Sequence, residues 1–246
     1  MYAFRTTHGP ADLAFTDRYG GVSAFPFDEL NLALESEDPI ADRVENHRIV
    51  LADFGPEDEL CDLRQVHGGE VDVVEETVLT DGDRPAADAL VASSSGVTLM
   101  VRAADCVPVL LVDAEAGVIG AAHCGRPGLV AGVVPNVVTR MRERGAGAIT
   151  AWVGPHVCGA CYEVPLAMQA EVGEVEPASI ATTSWGTPSL DLGAGVRAQL
   201  ARHEVEVVDV ARCTRESRDL YSYRRDGAGA GRLAGLIRLR GPGERQ

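Results

Sequence analysis

Apolar residues along this chain fall into two alternating patterns. Short, nearly unbroken apolar runs bounded by turn-forming residues predict strands at 12–18, 63–66, 71–75, 89–92, 98–103, 107–113, 118–122, 149–153, 205–210 and 233–239. The first run leads into the turn Tyr19-Gly20-Gly21. Longer stretches predict helices at 39–54, 128–144, 165–172 and 193–203. Asp38 is the expected cap of the first helix, with Pro39 in its first position and Gly55-Pro56 as its stop. In the second, apolar positions recur every three and four residues up to Gly145. Segments 80–87 and 177–189 read as loops, and 241–246 as a frayed tail. Neither loop resembles a domain linker, and no internal repeat is visible.

Two histidines and a cysteine stand out against this pattern. His67, Cys106 and His123 lie in the strings RQVHGGEV, VRAADCVPVLL and GAAHCGRPGLV, each where an apolar run ends in small or turn-forming residues. Side chains at strand ends project into clefts from a rigid base, so the three suggest one shared metal site. The strings lie apart along the chain, and only tertiary folding can join them. Two imidazoles and one thiolate leave tetrahedral Zn²⁺ an open fourth position, the arrangement of catalytic zinc.

Composition narrows the function classes. A chain of 246 residues, 46% of them hydrophobic, can bury a full core as one large domain or two small ones. A formal net charge of −15 argues against a nucleic-acid or anionic-membrane surface. All 22 basic residues are Arg. The absence of Lys excludes a P-loop lysine and a Schiff-base lysine, and leaves Arg as the permanent cation for any anionic ligand. A GC-rich genome that writes Arg for Lys accounts for most of this bias. The start MYAFRTTHGP has no signal-like pattern, and no apolar stretch approaches the length of a membrane span, so a cytoplasmic protein is expected. Six cysteines are too sparse for a disulfide scaffold.

The crossing at His123 adds an anion site to the picture. His123-Cys124-Gly125-Arg126-Pro127 runs from a strand end into a helix start, where free N–H groups and Arg126 can hold a phosphate or carboxylate beside the metal. Elsewhere, Cys158-x-x-Cys161 with His156 and Tyr162 suits half a zinc site or a redox pair, but a structural or pocket-lining role is the simpler expectation. Cys61 and Cys213 read as buried thiols, and His47 as a surface residue. Asp105 fits acid–base chemistry, ligand orientation or a turn cap equally well. His8 and His203 have no supporting context.

The motifs RQVHGGEV, DALVA, ADCVPVLL, GAAHCGRPGLVAGV, VGPHVCGACYEV and LYSYRRDGAGAGRLAGLIRL, after the opening FTDRYGGVSAFPFDELNLAL, occur in the order found in the YfiH/YlmD family. The chain resembles that family over residues 15–239. The family was once labelled laccase-domain or polyphenol oxidase and is now described as zinc-dependent purine nucleoside phosphorylases. The resemblance implies a single α/β (α+β) domain over 1–246, with mixed sheets flanked by helices. It also implies zinc on His67, Cys106 and His123. The implied activities are phosphorolysis of adenosine, inosine, guanosine and methylthioadenosine, and adenosine deamination. Some members are described as peptidoglycan editing factors, and the fold is similar to a toxin deamidase that uses a Cys-His pair. One departure stands out: where many members carry Trp-Arg after the His-Ala-Gly string, this chain has Arg126-Pro127, and Cys124 replaces a small residue.

Arg18, Arg126 and the Arg224-Arg225 pair are the candidates for phosphate, since guanidinium binds it bidentately. Arg18 and Arg225 rank first because they lie in matched motifs. Gln65, two residues before His67 on one predicted strand, shares its face and can meet a base or sugar. Cys106, His123 and Arg18 are the expected catalytic groups. The expected partners are purine nucleosides and phosphate, with no nucleic acid or membrane, as a monomer or dimer. Two other readings stay open. One is a metal-free hydrolase or amidase with Cys106 as nucleophile and His123 as base, acting on cell-wall precursors. The other is a copper oxidoreductase, disfavoured because no Cys-His-Met loop cluster follows Cys106.

Overall fold

The computed structural model describes residues 1–74, 84–241 and 243. In chain order its strands are β1 (Tyr2–His8), β2 (Ala11–Thr16), β3 (Glu59–Cys61), β4 (Val71–Val73), β5 (Ala89–Ala92), β6 (Val97–Ala103), β7 (Val107–Asp113), β8 (Val118–Cys124), β9 (Thr150–Val153), β10 (Ile180–Thr182), β11 (Pro188–Leu190), β12 (Glu206–Asp209) and β13 (Leu233–Leu239). The helices are α1 (Ile40–Phe54), α2 (Arg126–Ala131), α3 (Val133–Glu143), α4 (Leu166–Val175), α5 (Leu192–Arg202) and α6 (Tyr223–Asp226). One mixed sheet has the order β1-β2-β13-β6-β3, a second β12-β9-β7-β8-β5-β4, and β10-β11 is a separate hairpin. Each large sheet is antiparallel in its middle, with parallel pairs at β3/β6, β4/β5 and β9/β12.

Successive residues of the central strands alternate between two interiors, as the period of two demands. Leu13, Leu99, Val101 and Ile237 of the first sheet face Leu90, Leu110, Val112 and Ile119 of the second. Their neighbours Ala14, Met100 and Leu236 turn instead to Val50 and Phe54 of α1. Val109, Leu111 and Ala122 turn the other way, onto Val133, Val137 and Met141 of α3 and Val196 and Leu200 of α5. Four layers result: helix, sheet, sheet, helices. With both faces covered, the strands carry apolar residues on each side, and this is why they read as unbroken runs.

Most predicted elements are present, some with shifted ends, and several differ for identifiable reasons. The predicted helix 128–144 is two helices, because Gly132 sits at φ 76° and closes α2 with its N–H on the carbonyls of Gly128 and Leu129. The three-four periodicity survives the break because both pieces pack on the same core. Asp38 does not cap α1. Pro39 is its N-cap, and the buried Asp38 carboxylate accepts hydrogen bonds from Ser23 Oγ at 2.7 Å and Asn31 Nδ2 at 2.9 Å. Segment 63–66 forms no strand, and segment 177–189 holds a short helical turn and the β10-β11 hairpin. Strands β1 and β3, an exposed-edge strand and a three-residue one, carry no clear apolar run. Residue 75 of one predicted strand, the first half of the predicted loop 80–87, and most of the tail lie outside the described residues. No helix among the described residues is long and apolar enough to cross a membrane.

The layering sets an expectation for stability. Leu110 is fully buried between the sheets, so Leu110→Ala should cost about 2–5 kcal/mol through lost contacts and a residual cavity. Leu166, at the exposed start of α4, should cost within about 0.5 kcal/mol when truncated. Urea unfolding of the two variants checks the contrast.

Candidate active site

Strand register assembles the site at one edge of the second sheet. The β7-β8 pairing sets Pro108 opposite His123 and Val107 opposite Cys124, while β5 sets Ala89 opposite Ala122. The next residue of β5's approach, Asp88, therefore arrives beside His123, whose N–H donates to the Asp88 carbonyl at 2.8 Å. Cys106 stands in the turn from β6 into β7. His67 is not at a strand end: it occupies a turn after β3 at φ 60°.

The buried carboxylate of Asp88 ties these pieces together. It accepts the backbone N–H groups of Val66, His67 and Gly68 at 3.1, 3.0 and 2.6 Å, and His123 Nδ1 donates to it at 2.9 Å. Burial would raise its pKa, but these bonds, His123 foremost, hold it below the ordinary carboxylate value. With Nδ1–H committed to Asp88, the other ring nitrogen of His123 is free to face Cys106. Asp88 opens the string DALVA, which gives it no role on its own. An aspartate at the start of an apolar run has no signature that separates an anchor from a turn residue.

The donor atoms of His67, Cys106 and His123 lie within 4.8 Å of one another. Cys106 Sγ is 3.9 Å from His67 Nε2, and the imidazoles meet edge to face at 4.8 Å between centroids. Zinc bonds of about 2.3 Å to sulfur and 2.0–2.1 Å to nitrogen put tetrahedral partners about 3.5 Å apart, so the donor set and spacing both fit the ion. Gly125 belongs to the same packing, since a Cβ there would stand 2.7 Å from His67 Cδ2 and 3.0 Å from Cys106 Sγ. Burial by itself would raise the Cys106 thiol, yet His123 and His67 outweigh it and bring it down to about 6. Burial would likewise lower His123, but the Cys106 thiolate and Asp88 lift it to about 9. Both shifts run in the direction that favours a thiolate beside an imidazolium when no metal is bound.

Beside the triad opens a cavity of about 730 Å³, lined by Gln65, Arg64, Arg102, Arg224, Arg232, Tyr162 and Tyr223 among others. Asp105, at φ 91°, shapes its other wall. Its carboxylate accepts from Thr214 Oγ1 at 2.6 Å, Ser222 Oγ at 2.7 Å and the Arg224 N–H at 2.6 Å, so its role here is positional. The Arg224 guanidinium lies 4.4 Å over the Tyr162 ring. Arg102 is buried in an ion pair with Asp62, and its Nη1 has no partner among the described residues.

The structure separates candidates that the sequence grouped. Arg18 and Arg225 do not reach the triad's cavity; they line a separate hollow of about 620 Å³ with Arg215 and Arg218. Arg18 is held by the Asp28 carbonyl at 2.7 Å and lies over the Tyr221 ring. Arg225 is spent on the carbonyls of Thr214, Ser217 and Leu220 and on Asp226. Its neighbour Arg224 faces the cavity instead. Gln65 lines the cavity from an extended loop, and its amide pairs with both the N–H and carbonyl of Arg102 at 2.8 Å, replacing a strand contact. Arg126 opens α2 two residues before the predicted start at 128 and stands near Tyr162, whose phenol it weighs upon. With six residues in α2 and no N–H on Pro127, that helix start offers fewer donors than the sequence suggested. His47 is no surface residue. Arg102 Nη2 donates to its Nε2 at 2.9 Å, and burial together with Arg102 pushes its pKa down to about 4. Cys213 is only half-buried and meets the Cys158-x-x-Cys161 turn, a pairing that no local signal announces.

A family described as multi-copper polyphenol oxidoreductase laccase matches residues 12–240. The chain is 50% identical over 247 residues to a Streptomyces coelicolor protein named purine nucleoside phosphorylase, covering 97% of this chain and 100% of that one. It is 39% identical over 229 residues to a Deinococcus radiodurans protein of the same name, covering 92% and 88%. Among solved structures, YlmD from Geobacillus stearothermophilus superposes with a TM-score of 0.84 at 30% identity, over 94% and 93% of the two chains. A Neisseria meningitidis protein does so at 0.86 and 31%, over 97% and 99%.

Two outcomes follow from the geometry. Asp88→Asn should weaken any metal binding at the triad on the order of tenfold to a hundredfold, because it unfixes both His123 and the His67 turn; competition between a chromogenic chelator and the protein for added metal measures this. In metal-stripped protein, alkylation of Cys106 should rise with pH and reach half its maximum near 6, as its lowered pKa requires. In His123→Ala the midpoint should move toward the ordinary thiol value of about 8.5. A pH-rate profile with iodoacetamide reads both, and excess Zn²⁺ should protect the thiol.

Proposed function

The chain belongs to the family described as multi-copper polyphenol oxidoreductase laccase, and we propose that within it the chain is a zinc-dependent purine nucleoside phosphorylase. The observation that carries this reading is the cavity beside the triad. Its volume of about 730 Å³ suits a small ligand, and Arg64, Arg224, Arg232 and the Asp62-paired Arg102 outnumber the lining acids Glu35 and Asp105 in a chain of net charge −15. Cations gathered at one concave site of an acidic protein select an anionic substrate there.

His67, Cys106 and His123 would hold the Zn²⁺, which when bound supplies a fixed positive charge at one end of the cavity. In phosphorolysis an oxygen of inorganic phosphate bonds to the sugar C1′ while the bond to the purine nitrogen breaks. The purine leaves with that electron pair and gains a proton, and the products are the free base and a sugar 1-phosphate. Arg224, fixed through its backbone by Asp105, would grip phosphate, and the buried Arg102, paired with Asp62, would add positive charge behind it. Arg126 adds charge near Tyr162, and Gln65 keeps Arg102's backbone in register. Tyr162 and Tyr223 offer flat walls for a base. Adenosine deamination belongs to the same proposal. It exchanges the purine's amino group for oxygen from water, releases ammonia and needs no phosphate.

One observation favours a second reading. Cys106, His123 and Asp88 also form a thiol, imidazole and carboxylate relay, with His123 bonded to Asp88 through Nδ1 and the thiol held at about 6. Such a relay suits a metal-free hydrolase acting on amide bonds, including those of cell-wall precursors.

Purine release from inosine and adenosine should require phosphate and should vanish on zinc removal. Arg224→Ala should raise the KM for phosphate on the order of tenfold to a hundredfold, as loss of about 1.5–3 kcal/mol from one charged hydrogen bond implies. Cleavage indifferent to phosphate would sink the phosphorylase reading. Activity that survives zinc removal and is abolished by alkylation would install the hydrolase.

A further inference from the structure

A second group of metal-binding side chains lies outside the triad. The Cys158-x-x-Cys161 turn is closed by hydrogen bonds from the N–H groups of Cys161 and Tyr162 to the Cys158 carbonyl at 2.9 and 3.1 Å, which turn both thiols to one side. A later turn repeats the spacing with different donors. Ser217 N–H bonds the Cys213 carbonyl at 2.9 Å and brings Glu216, three residues beyond Cys213, onto the same spot. Cys158, Cys161, Cys213 and Glu216 offer four donor atoms within 4.8 Å of one another. Cys161 Sγ is 3.5 Å from Glu216 Oε1, and the Cys158 N–H donates to Cys213 Sγ at 3.5 Å.

We propose that these four residues form a second metal centre, a closed structural site for Zn²⁺ that clamps the loop after β9 to the loop after β12. Three points support it. A tetrahedral zinc with sulfur bonds of about 2.3 Å and an oxygen bond of about 2.0–2.2 Å holds its ligands about 3.5–3.8 Å apart, close to the spacing here. Four protein donors fill the coordination shell, the hallmark of structural zinc, and the x₂ spacing in each turn is the commonest way to bring two of them together. A redox dithiol needs Cys158 and Cys161 alone and gives no reason for Cys213 and Glu216 to converge on them.

Loading the site moves charge in a defined way. Zn²⁺ displaces one proton from each of the three thiols to solvent, and with Glu216 the loaded cluster is doubly negative. Arg215 stands beside it, its guanidinium donating to the Cys161 carbonyl at 3.4 Å and lying 4.9 Å over the Trp185 ring. The clamp acts on the cavity through its neighbours. Tyr162, adjacent to Cys161, carries Arg224 on its face, and Thr214, adjacent to Cys213, bonds Asp105 beside Cys106. The ion would fix one wall of the cavity without touching the substrate, whichever reaction that cavity performs.

Metal analysis of the whole protein, purified without chelator and dialysed against trace Zn²⁺, tests this. The wild type should hold two zinc ions per chain, and His123→Ala one. Cys213→Ser should also hold one, and in it a cobalt titration should lose most of the sulfur-to-metal charge-transfer absorption, because three thiolates serve this site and one serves the triad. If Cys213→Ser fails to fold, Glu216→Gln, altered at an exposed side chain, should still release its second zinc to a chelator at least tenfold more readily than wild type. Zinc content unchanged in a folded Cys213→Ser, or a second zinc held as tightly in Glu216→Gln, would overturn the proposal. So would recovery of Cys158 and Cys161 as a disulfide from native protein supplied with zinc.

Discussion

The site depends on one buried carboxylate. Asp88 is withdrawn from water, a costly position for a charge, and three backbone N–H groups together with one imidazole N–H compensate it. Those four partners come from two places: the turn that leads into β4 and the end of β8. The bond to His123 fixes which ring nitrogen faces Cys106. The bonds to residues 66–68 hold His67 in a left-handed conformation that a non-glycine residue adopts only when its surroundings insist. Without the carboxylate, neither imidazole would keep its aim.

Asp105 does for the opposite wall what Asp88 does for the triad. It sits one residue before Cys106 and collects the hydroxyls of Thr214 and Ser222 and the N–H of Arg224. The thiol is therefore placed between two anchored segments, each tied by an aspartate with several donors. Both anchors hang from the sandwich, whose β7 and β8 are buried throughout their length. A rigid sheet edge with short, bonded turns is a better platform for three candidate metal donors than a long loop, because side chains there lose little further freedom when a ligand binds.

Electrostatics then divides the labour. The protein is acidic overall, yet its cavity gathers arginines, one of them wholly buried against Asp62. His47 accepts from Arg102 and is kept neutral by its own burial first and by Arg102 second. Arg224 and Arg225 show how fine the division is. Consecutive in sequence, they point to different hollows because Arg225 turns inward to satisfy carbonyls of the 214–220 loop.

The amino-acid sequence determined a good deal by local means. Strands β5 and β7 follow directly from their apolar runs, since burial on both faces leaves no polar residue within them before the closing Asp113. Cys106 and His123 were legible because each stands at the end of such a run, where a polar donor is out of place unless it has work to do, whereas His67 stands in a turn that only the fold brings to them. Tertiary structure decided the rest. Whether Arg18 or Arg102 meets the cavity depends on which carbonyls and carboxylates surround each guanidinium, and those come from distant segments. Asp88 and Cys213 likewise look ordinary in their own strings and gain their roles from partners far along the chain. Periodicity records which face of an element is buried. It does not record what waits on the other side.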